Sequence, residues 1–188
     1  MSRQTPRDPA TFSEAERAEY ESVSKTRTPL ANGMLGGPYD PWLLNAEMSR
    51  RLRGLGGMLW ERTSLDRGLV ELAISITGRA WEANVEWAAH APRAVHYGIP
   101  QPVLDDVLAG RRPEATPEQL LVYDVCMSMH REHCLPRSLY DDAVQTFGER
   151  GLAELMAVSG FYVLVSMTLN AFEVEVAPGV DAPFARGA

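Results

Sequence analysis

The chain has 188 residues, of which 45% are hydrophobic and 23% charged, so it is long enough for one globular domain with a substantial core. Its formal net charge of −7 argues against a nucleic-acid-binding surface, because such a surface is expected to be basic. The arginines at positions 50, 51, 53, 111 and 112 are therefore interpreted as solvated surface charge.

The first forty residues are interpreted as an N-terminal arm and loop. The first ten are polar and hold two prolines, unlike a signal peptide. Residues 12–24 predict a short surface helix, and residues 25–39 hold the glycines and prolines of a loop. The predicted domain then spans residues 41–176, and residues 177–188 form a tail.

The domain begins with a predicted helix over residues 41–60. Asp40 followed by Pro41 is typical of a helix N-cap and first helical position. Gly54, Gly56 and Gly57 weaken this helix, or instead permit close packing against a neighbour.

An apolar helix is predicted over residues 66–77. Thr63 or Ser64 can cap its beginning, and Gly78 is expected to end it as a left-handed glycine. Its apolar composition predicts a core position, where an ionisable group is costly without a partner.

A further helix is predicted over residues 80–97 and ends at Gly98. Pro92 should kink this helix just after His90 or end it near Ala91.

The rest of the chain predicts four more helices, and no stretch competes as a strand except a short ambiguous one at residues 172–176. Residues 116–119 form a capping box with proline at the first helical position. The fold prediction is all-α, with seven or eight helices, in which residues 66–97 pack against two of the later helices. The later helices cover residues 100–109, 120–133, 136–147 and 150–172.

Nothing in the sequence indicates membrane insertion. The most apolar stretch, residues 152–172, is interrupted by Glu154, Ser159, Ser166 and Asn170 and predicts a buried core helix, since a span needs about 20 apolar residues. We therefore expect a soluble, cytoplasmic protein with neither a membrane nor a nucleic-acid partner.

The ionisable residues of the predicted core helices form the candidate site. Glu82, Glu86 and His90 are four residues apart, so a helix would place them in one row, and Glu71 lies on the preceding helix. A histidine beside carboxylates is suited to general acid–base catalysis. The alternative is a buried hydrogen-bonded pair with one surface glutamate. The spacing leaves open whether Glu82 or Glu86 faces inward.

Other readings of the chemistry are weaker. Trp81 and Trp87 flank the row and either wall a pocket or fill the core. No glycine-rich phosphate loop follows a strand, so nucleotide binding is not predicted.

The two cysteines favour neither a disulfide nor a metal site. Eight helical residues separate Cys126 from Cys134 by about 12 Å, whereas a disulfide needs Cα atoms within about 7 Å. With His130 and His133 they could be considered a zinc set, but one straight helix cannot wrap such ligands tetrahedrally around an ion. No metal or other cofactor is predicted.

Residues 67–98 resemble the carboxymuconolactone decarboxylase superfamily, which includes alkylhydroperoxidase-D-like (AhpD-like) proteins. The peroxidase branch has a glutamate and then Cys-x-x-Cys-x-x-x-His, in which Glu71 and His90 match the glutamate and the histidine. The two cysteine positions hold Ala83 and Glu86, so the thiols that peroxide reduction requires are absent from the motif.

The decarboxylase branch resembles this chain at the position of Glu86, because that branch carries a glutamate four residues before the histidine, as Glu86 precedes His90. Arg93, Gly98 and the last apolar helix, residues 160–172, also suit this branch. The resemblance implies an AhpD-like helical bundle that forms a homo-oligomer, a trimer or hexamer, with its site near a subunit interface.

These observations predict an enzyme of the decarboxylase type, acting by proton transfer on a small organic acid or lactone. His90, Glu86 and Glu71 are the predicted catalytic residues. Trp87, Glu82 and Arg93 are the predicted substrate-binding residues. The alternatives are a thiol peroxidase that uses the two cysteines outside the motif, and a non-catalytic protein that keeps the fold.

Overall fold

The computed structural model describes residues 2–185, and this part of the chain is helical, with no strand. It contains eight α-helices and a single 3-10 turn, Pro9–Thr11. The all-α prediction is confirmed, and residues 172–176 form no strand. The helices are α1 (Glu14–Ser24), α2 (Tyr39–Leu43), α3 (Ala46–Glu61), α4 (Arg67–Ala80), α5 (Asn84–His96), α6 (Gln101–Leu108), α7 (Pro117–Glu132) and α8 (Arg137–Ala171).

Helix α4 forms the centre of the bundle. Every residue from 70 to 78 is buried, and α4 packs against α5, α6, α7 and α8. A helix that is apolar on all sides must be enclosed by others, which explains this position. The predicted packing of residues 66–97 against the later helices is confirmed for α4.

The ends of α4 and α5 differ from the prediction. Asp66, not Thr63 or Ser64, caps α4, accepting a hydrogen bond from the Gly68 amide. Helix α4 continues past Gly78 to Ala80, and α5 continues through Pro92 to His96, so neither residue ends its helix.

Gly78 has a packing function instead. A Cβ atom built at this position would lie 3.2 Å from the Cβ of Glu86, so the missing side chain lets the start of α5 approach α4 closely. Gly98, with φ of 93°, does follow the end of α5 as predicted.

The predicted helix over residues 41–60 is two helices. Asn45 interrupts it and caps α3 through a hydrogen bond from the Met48 amide. Asp40 is not an N-cap but lies inside α2, where its carboxylate accepts hydrogen bonds from the Leu35 and Gly36 amides. Asp40 therefore fastens the preceding loop to the bundle.

Helix α8 contains the two helices predicted at the end of the chain, separated at Gly148, where φ is 72°. Its length and composition would suffice to cross a membrane, but half of its most apolar segment is buried in the bundle. Core helices meet the same criteria, so this feature is weak evidence for a membrane span.

Residues near both ends of the described range contact the bundle. The Arg3 amide donates to the Phe172 carbonyl at 3.0 Å, and Glu19 of α1 accepts a hydrogen bond from Ser49 of α3 at 2.8 Å. The C-terminal segment is held at Phe184 by Asn84. The predicted N-terminal arm therefore makes contacts with the bundle, and the last three residues of the predicted tail lie outside the described range.

Candidate active site

A carboxylate and an imidazole meet between α4 and α5. Glu71 is completely buried in α4, and His90 on α5 is 6% exposed. Glu71 Oε2 lies 2.6 Å from His90 Nδ1, a short hydrogen bond between side chains 19 positions apart. The structure thus brings together two of the residues that the sequence singles out.

Trp60, near the end of α3, is the second hydrogen-bond donor to Glu71. Its indole Nε1 donates a hydrogen bond of 2.6 Å to Glu71 Oε1, so both carboxylate oxygens are engaged. The guanidinium carbon of Arg67 lies 3.9 Å from the centre of a Trp60 ring, and that of Arg93 lies 6.0 Å away. Two cations thus face the indole that donates to Glu71.

These contacts determine the protonation state of Glu71. Burial alone would raise its pKa, but the hydrogen bond and charge of His90, the Trp60 indole and the charge of Arg93 together lower it below 4.5. Glu71 is therefore ionised at neutral pH and accepts the hydrogen bond from His90 Nδ1. In neutral His90 this leaves a lone pair on Nε2.

Glu86 lies on the other side of the imidazole. Its Oε2 is 3.5 Å from His90 Nε2 and is buried without a hydrogen-bond partner among the described residues. Burial raises the pKa of Glu86 above 4.5, outweighing the nearby charges of His90 and Arg93. The two carboxyl groups around His90 therefore have pKa values shifted in opposite directions.

The aromatic ring of Tyr162 fixes the imidazole from a third side. The two rings meet edge to face, with centres 5.0 Å apart. Burial is the largest of the causes that raise the pKa of Tyr162, so its phenol stays protonated. Tyr162 therefore supplies packing and a neutral hydroxyl, not a charge.

A cavity of about 450 Å³ opens onto this cluster. Its walls come from α3, α5 and α8 and from the N-terminal segment, and they combine aromatic side chains with three arginines, Arg27, Arg53 and Arg93. Glu86 and His90 both line it, whereas Glu71 lies behind them. A carboxyl group and an imidazole thus border a space of the size that holds a small ligand.

The three arginines of the cavity differ in the contacts that their side chains make. Arg53 forms an ion pair with Glu19 at 2.8 Å, and Arg27 donates to the Leu35 carbonyl at 2.6 Å. Arg93 is exposed, one turn beyond His90 on α5, and its guanidinium lies 6.0 Å from the centre of the Trp60 ring. It is the cation best placed to meet an anionic group in the cavity.

Two predicted substrate-binding residues lie elsewhere. Glu82 precedes α5 in a left-handed turn with φ of 48°, and its side chain is 63% exposed and pairs with Arg79. The predicted row is therefore wrong at Glu82. Trp87 packs against Phe184, with ring centres 6.0 Å apart, and does not line the cavity, so it belongs to the core. Trp81 is 37% exposed.

The sequence reasoning missed Trp60, Tyr162 and the contribution of the N-terminal segment. Trp60 is predicted only as the last residue of the helix over residues 41–60, and the motif at residues 67–98 does not extend to it. No local spacing signal links positions 60 and 162 to the histidine, because these contacts form only when α3 and α8 pack around α5.

The cysteine and histidine cluster of α7 has a different environment. Cys126 is buried, which raises its pKa to about 12, and Cys134 is exposed and free. His130 Nε2 contacts the hydroxyls of Thr77 at 3.2 Å and Ser159 at 3.3 Å. Within residues 2–185, no group of three or more histidine, cysteine or acidic side chains is arranged to hold a metal ion.

Comparisons with known proteins identify the fold. No protein-family model and no curated protein sequence matches the chain. A peroxidase-related protein of Ralstonia eutropha JMP134 with an alkylhydroperoxidase AhpD core has a similar structure, with a TM-score of 0.75 and 16% identity over 94% of this chain and 93% of that one.

Two other solved structures are similar over almost their whole length. A peroxidase-related protein from Silicibacter sp. TM1040 has a TM-score of 0.71 and 12% identity, covering 96% of both chains. A cysteine-to-alanine variant of the debrominase Bmp8, in complex with 2,3,4-tribromopyrrole, has a TM-score of 0.70 and 11% identity, covering 97% of this chain and 96% of that one. The chain therefore has the helical fold of the AhpD core.

Proposed function

We propose that the protein is an enzyme that catalyses proton transfer or decarboxylation on a small organic acid or lactone. The observation that carries the proposal is the arrangement of His90 between a carboxyl group with a lowered pKa, Glu71, and one with a raised pKa, Glu86, beside a cavity. Carboxyl groups whose environments move their pKa values apart are typical of acid–base sites.

Each side chain has a defined part in the proposed chemistry. Ionised Glu71 accepts the hydrogen bond of His90 Nδ1, which orients the ring and leaves Nε2 to act as a base. Burial raises the pKa of Glu86 and so favours its protonated form, which can donate a proton toward Nε2 or toward a substrate in the cavity. Arg93 is proposed to hold the substrate carboxylate.

A decarboxylation would use these groups in sequence. The bond between the substrate and its carboxylate breaks, CO₂ leaves, and the electron pair remains on carbon as a carbanion or enolate. A proton from Glu86 or from protonated His90 then forms the new C–H bond.

Thiol peroxidase chemistry receives less support. The burial that raises the pKa of Cys126 to about 12 suppresses the thiolate that attacks peroxide. A double variant, Cys126→Ser with Cys134→Ser, should therefore retain the activity of the protein.

The proposal is tested by following a panel of small carboxylic acids and lactones in D₂O by NMR. We expect CO₂ release or deuterium incorporation on carbon, with a loss of at least about 100-fold in His90→Gln, the range that one general acid–base group contributes. His96→Gln is the matched control, since His96 lies on the same helix but not on the cavity. No turnover across the panel, or equal rates in both variants, would refute the proposal.

A further inference from the structure

Four aromatic side chains that line the cavity form one continuous row, which we call the aromatic wall: Tyr39, Trp42, Phe161 and Tyr162. Neighbouring rings in this row meet edge to face or tilted, with centres 5.9 Å, 6.3 Å and 5.4 Å apart in that order. Tyr162 in turn meets the imidazole of His90, with ring centres 5.0 Å apart. An aromatic surface therefore runs along the cavity and ends at the proposed base.

The two indoles that line the cavity present ring surface to it, because their N–H groups are engaged elsewhere. Trp42 Nε1 donates to Thr168 Oγ1 at 3.3 Å, and Trp60 Nε1 donates to Glu71 Oε1. A ligand therefore meets both residues through their rings. Such rings prefer edge-to-face or offset stacked contacts with another aromatic ring.

The groups of the proposed reaction lie on a different side of the cavity lining. Glu86, His90 and Arg93 all come from α5, whereas the aromatic wall comes from α2 and α8. In the described part of the chain, Glu86 Oε2 is a buried polar atom without a hydrogen-bond partner, so a bound ligand could supply one. The cavity thus combines aromatic surface from two helices with a cation and two proton-carrying groups from a third.

The volume of the cavity suits a ring with substituents. Its 450 Å³ is about three times the roughly 150 Å³ of a protein cavity that holds benzene. Gly57 of α3 also lines the cavity, and a Cβ atom built there would meet no atom within 4 Å. The absence of a side chain at this position therefore leaves space that packing does not require.

We infer that the cavity takes an aromatic carboxylic acid as its ligand, with the ring on the aromatic wall and the carboxylate at Arg93. The inference rests on the proposed function and narrows its substrate class from small organic acids and lactones to acids that carry an aromatic ring. An aliphatic acid of the same size would lack the ring contacts, and a neutral aromatic compound would lack the attraction to the guanidinium.

Binding of simple acids tests the inference without turnover. In NMR titrations of the full chain, benzoate should bind about 2- to 13-fold more tightly than cyclohexanecarboxylate, the range that one aromatic pair adds. Benzamide has the ring without the charge and should bind about 2- to 5-fold more weakly than benzoate, as for an ion pair partly in solvent. No binding of benzoate, or equal binding of either analogue, would overturn the inference.

A charge-removing variant tests the position of the carboxylate. Arg93→Gln should abolish the preference for benzoate over benzamide while both still bind. Arg137→Gln is the matched control, because Arg137 is exposed, pairs with Asp141 and does not line the cavity. A preference that persists in Arg93→Gln, or that is lost equally in Arg137→Gln, would contradict the assignment of the carboxylate to Arg93.

A space-filling variant tests the position of the ring. Naphthalene-2-carboxylate should also bind the wild type, and Gly57→Leu should weaken its binding at least about 5-fold more than that of benzoate, because a larger ring system needs the space that leucine takes. Gly54→Leu is the control, since Gly54 lies on the same helix with equally open surroundings but not on the cavity. Equal effects of the two substitutions would contradict the inference.

Binding and turnover distinguish this inference from the proposed function. His90→Gln should still bind benzoate although it loses turnover. Binding of benzoate as expected, with no turnover of any acid, would refute the proposed function and support the ligand class. Turnover of aliphatic acids alone would overturn the ligand class and support the proposed function.

Discussion

Replacing Trp60 by phenylalanine should destabilise the protein by an amount that depends on pH. The substitution keeps an aromatic ring beneath Arg67 but removes the indole N–H that donates to Glu71 Oε1 at 2.6 Å. Glu71 is completely buried, so water does not replace the lost donor. One oxygen of a buried carboxylate is then left without a partner.

The size of the effect follows from this single contact. A hydrogen bond to a charged group contributes about 1.5–3 kcal/mol, and 1 kcal/mol shifts the melting temperature of a chain of this length by about 2–4 °C. We therefore expect Trp60→Phe to lower the melting temperature by about 3–12 °C at pH 7, measured by circular dichroism. Trp81→Phe serves as the control, because Trp81 is exposed and should shift it little.

The pH dependence of the stability difference between the wild type and Trp60→Phe distinguishes the loss of the hydrogen bond from a loss of packing. The pKa of Glu71 is lowered in the folded protein, so the stability that its ionised form provides is present above pH 4.5 and is lost as the pH falls through the folded value. The difference between the wild type and Trp60→Phe should therefore narrow below pH 4.5. A difference that is absent at pH 7, or that stays constant down to pH 3, would refute the role assigned to Trp60.

The surroundings of His130 and of Asn84 lead to two further predictions. Burial lowers the pKa of His130 below 6.5, so the stability that its neutral form provides is present above pH 6.5 and lost as the pH falls through the folded value. His130→Gln should therefore lose less melting temperature between pH 7 and pH 5 than the wild type does, and an identical pH profile would contradict this. Asn84 makes two hydrogen bonds of 2.9 Å with the Phe184 backbone. Asn84→Ala should therefore accelerate amide hydrogen exchange at Phe184, whereas Asn45→Ala, at a distant helix cap, should not.

The sequence carries enough information to predict the pairing of Glu71 with His90. An ionisable residue in a helix that is apolar on all sides needs a buried partner, and the next helix offers a histidine. The same reasoning fails for Glu82, because it assumes a helix that begins at residue 80. The chain instead makes a left-handed turn at Glu82, and α5 begins only at Asn84.

The walls of the cavity are less accessible to sequence reasoning. Arg27 and Tyr39 belong to a segment that the pattern of glycines and prolines predicts as a loop, and that interpretation says nothing about what the loop covers. The buried carboxylate of Asp40 accepts hydrogen bonds from the Leu35 and Gly36 amides and so holds this segment against the bundle. Such contacts depend on how the helices pack in the folded protein, and the spacing of apolar residues along the sequence does not predict them.

Glu86 occupies a motif position of the family that the chain resembles and also lies beside His90 in the site. The resemblance assigns a redox cysteine of the peroxidase branch to this position, and the chain carries a carboxyl group there instead. A thiol at that position would need a second sulfur for a disulfide cycle. The carboxyl group of Glu86 borders the same cavity as His90 and can carry a proton without such a partner. In the proposed function, the absence of both motif cysteines, at Ala83 and Glu86, leaves His90 and Glu71 to proton transfer in place of thiol chemistry. Glu86→Gln, which keeps the shape but cannot give up a proton, should accordingly lower turnover strongly, with protonated His90 as the remaining donor, while Glu82→Gln leaves turnover unchanged. Comparable rates in the two variants would mean that Glu86 takes no part in the reaction.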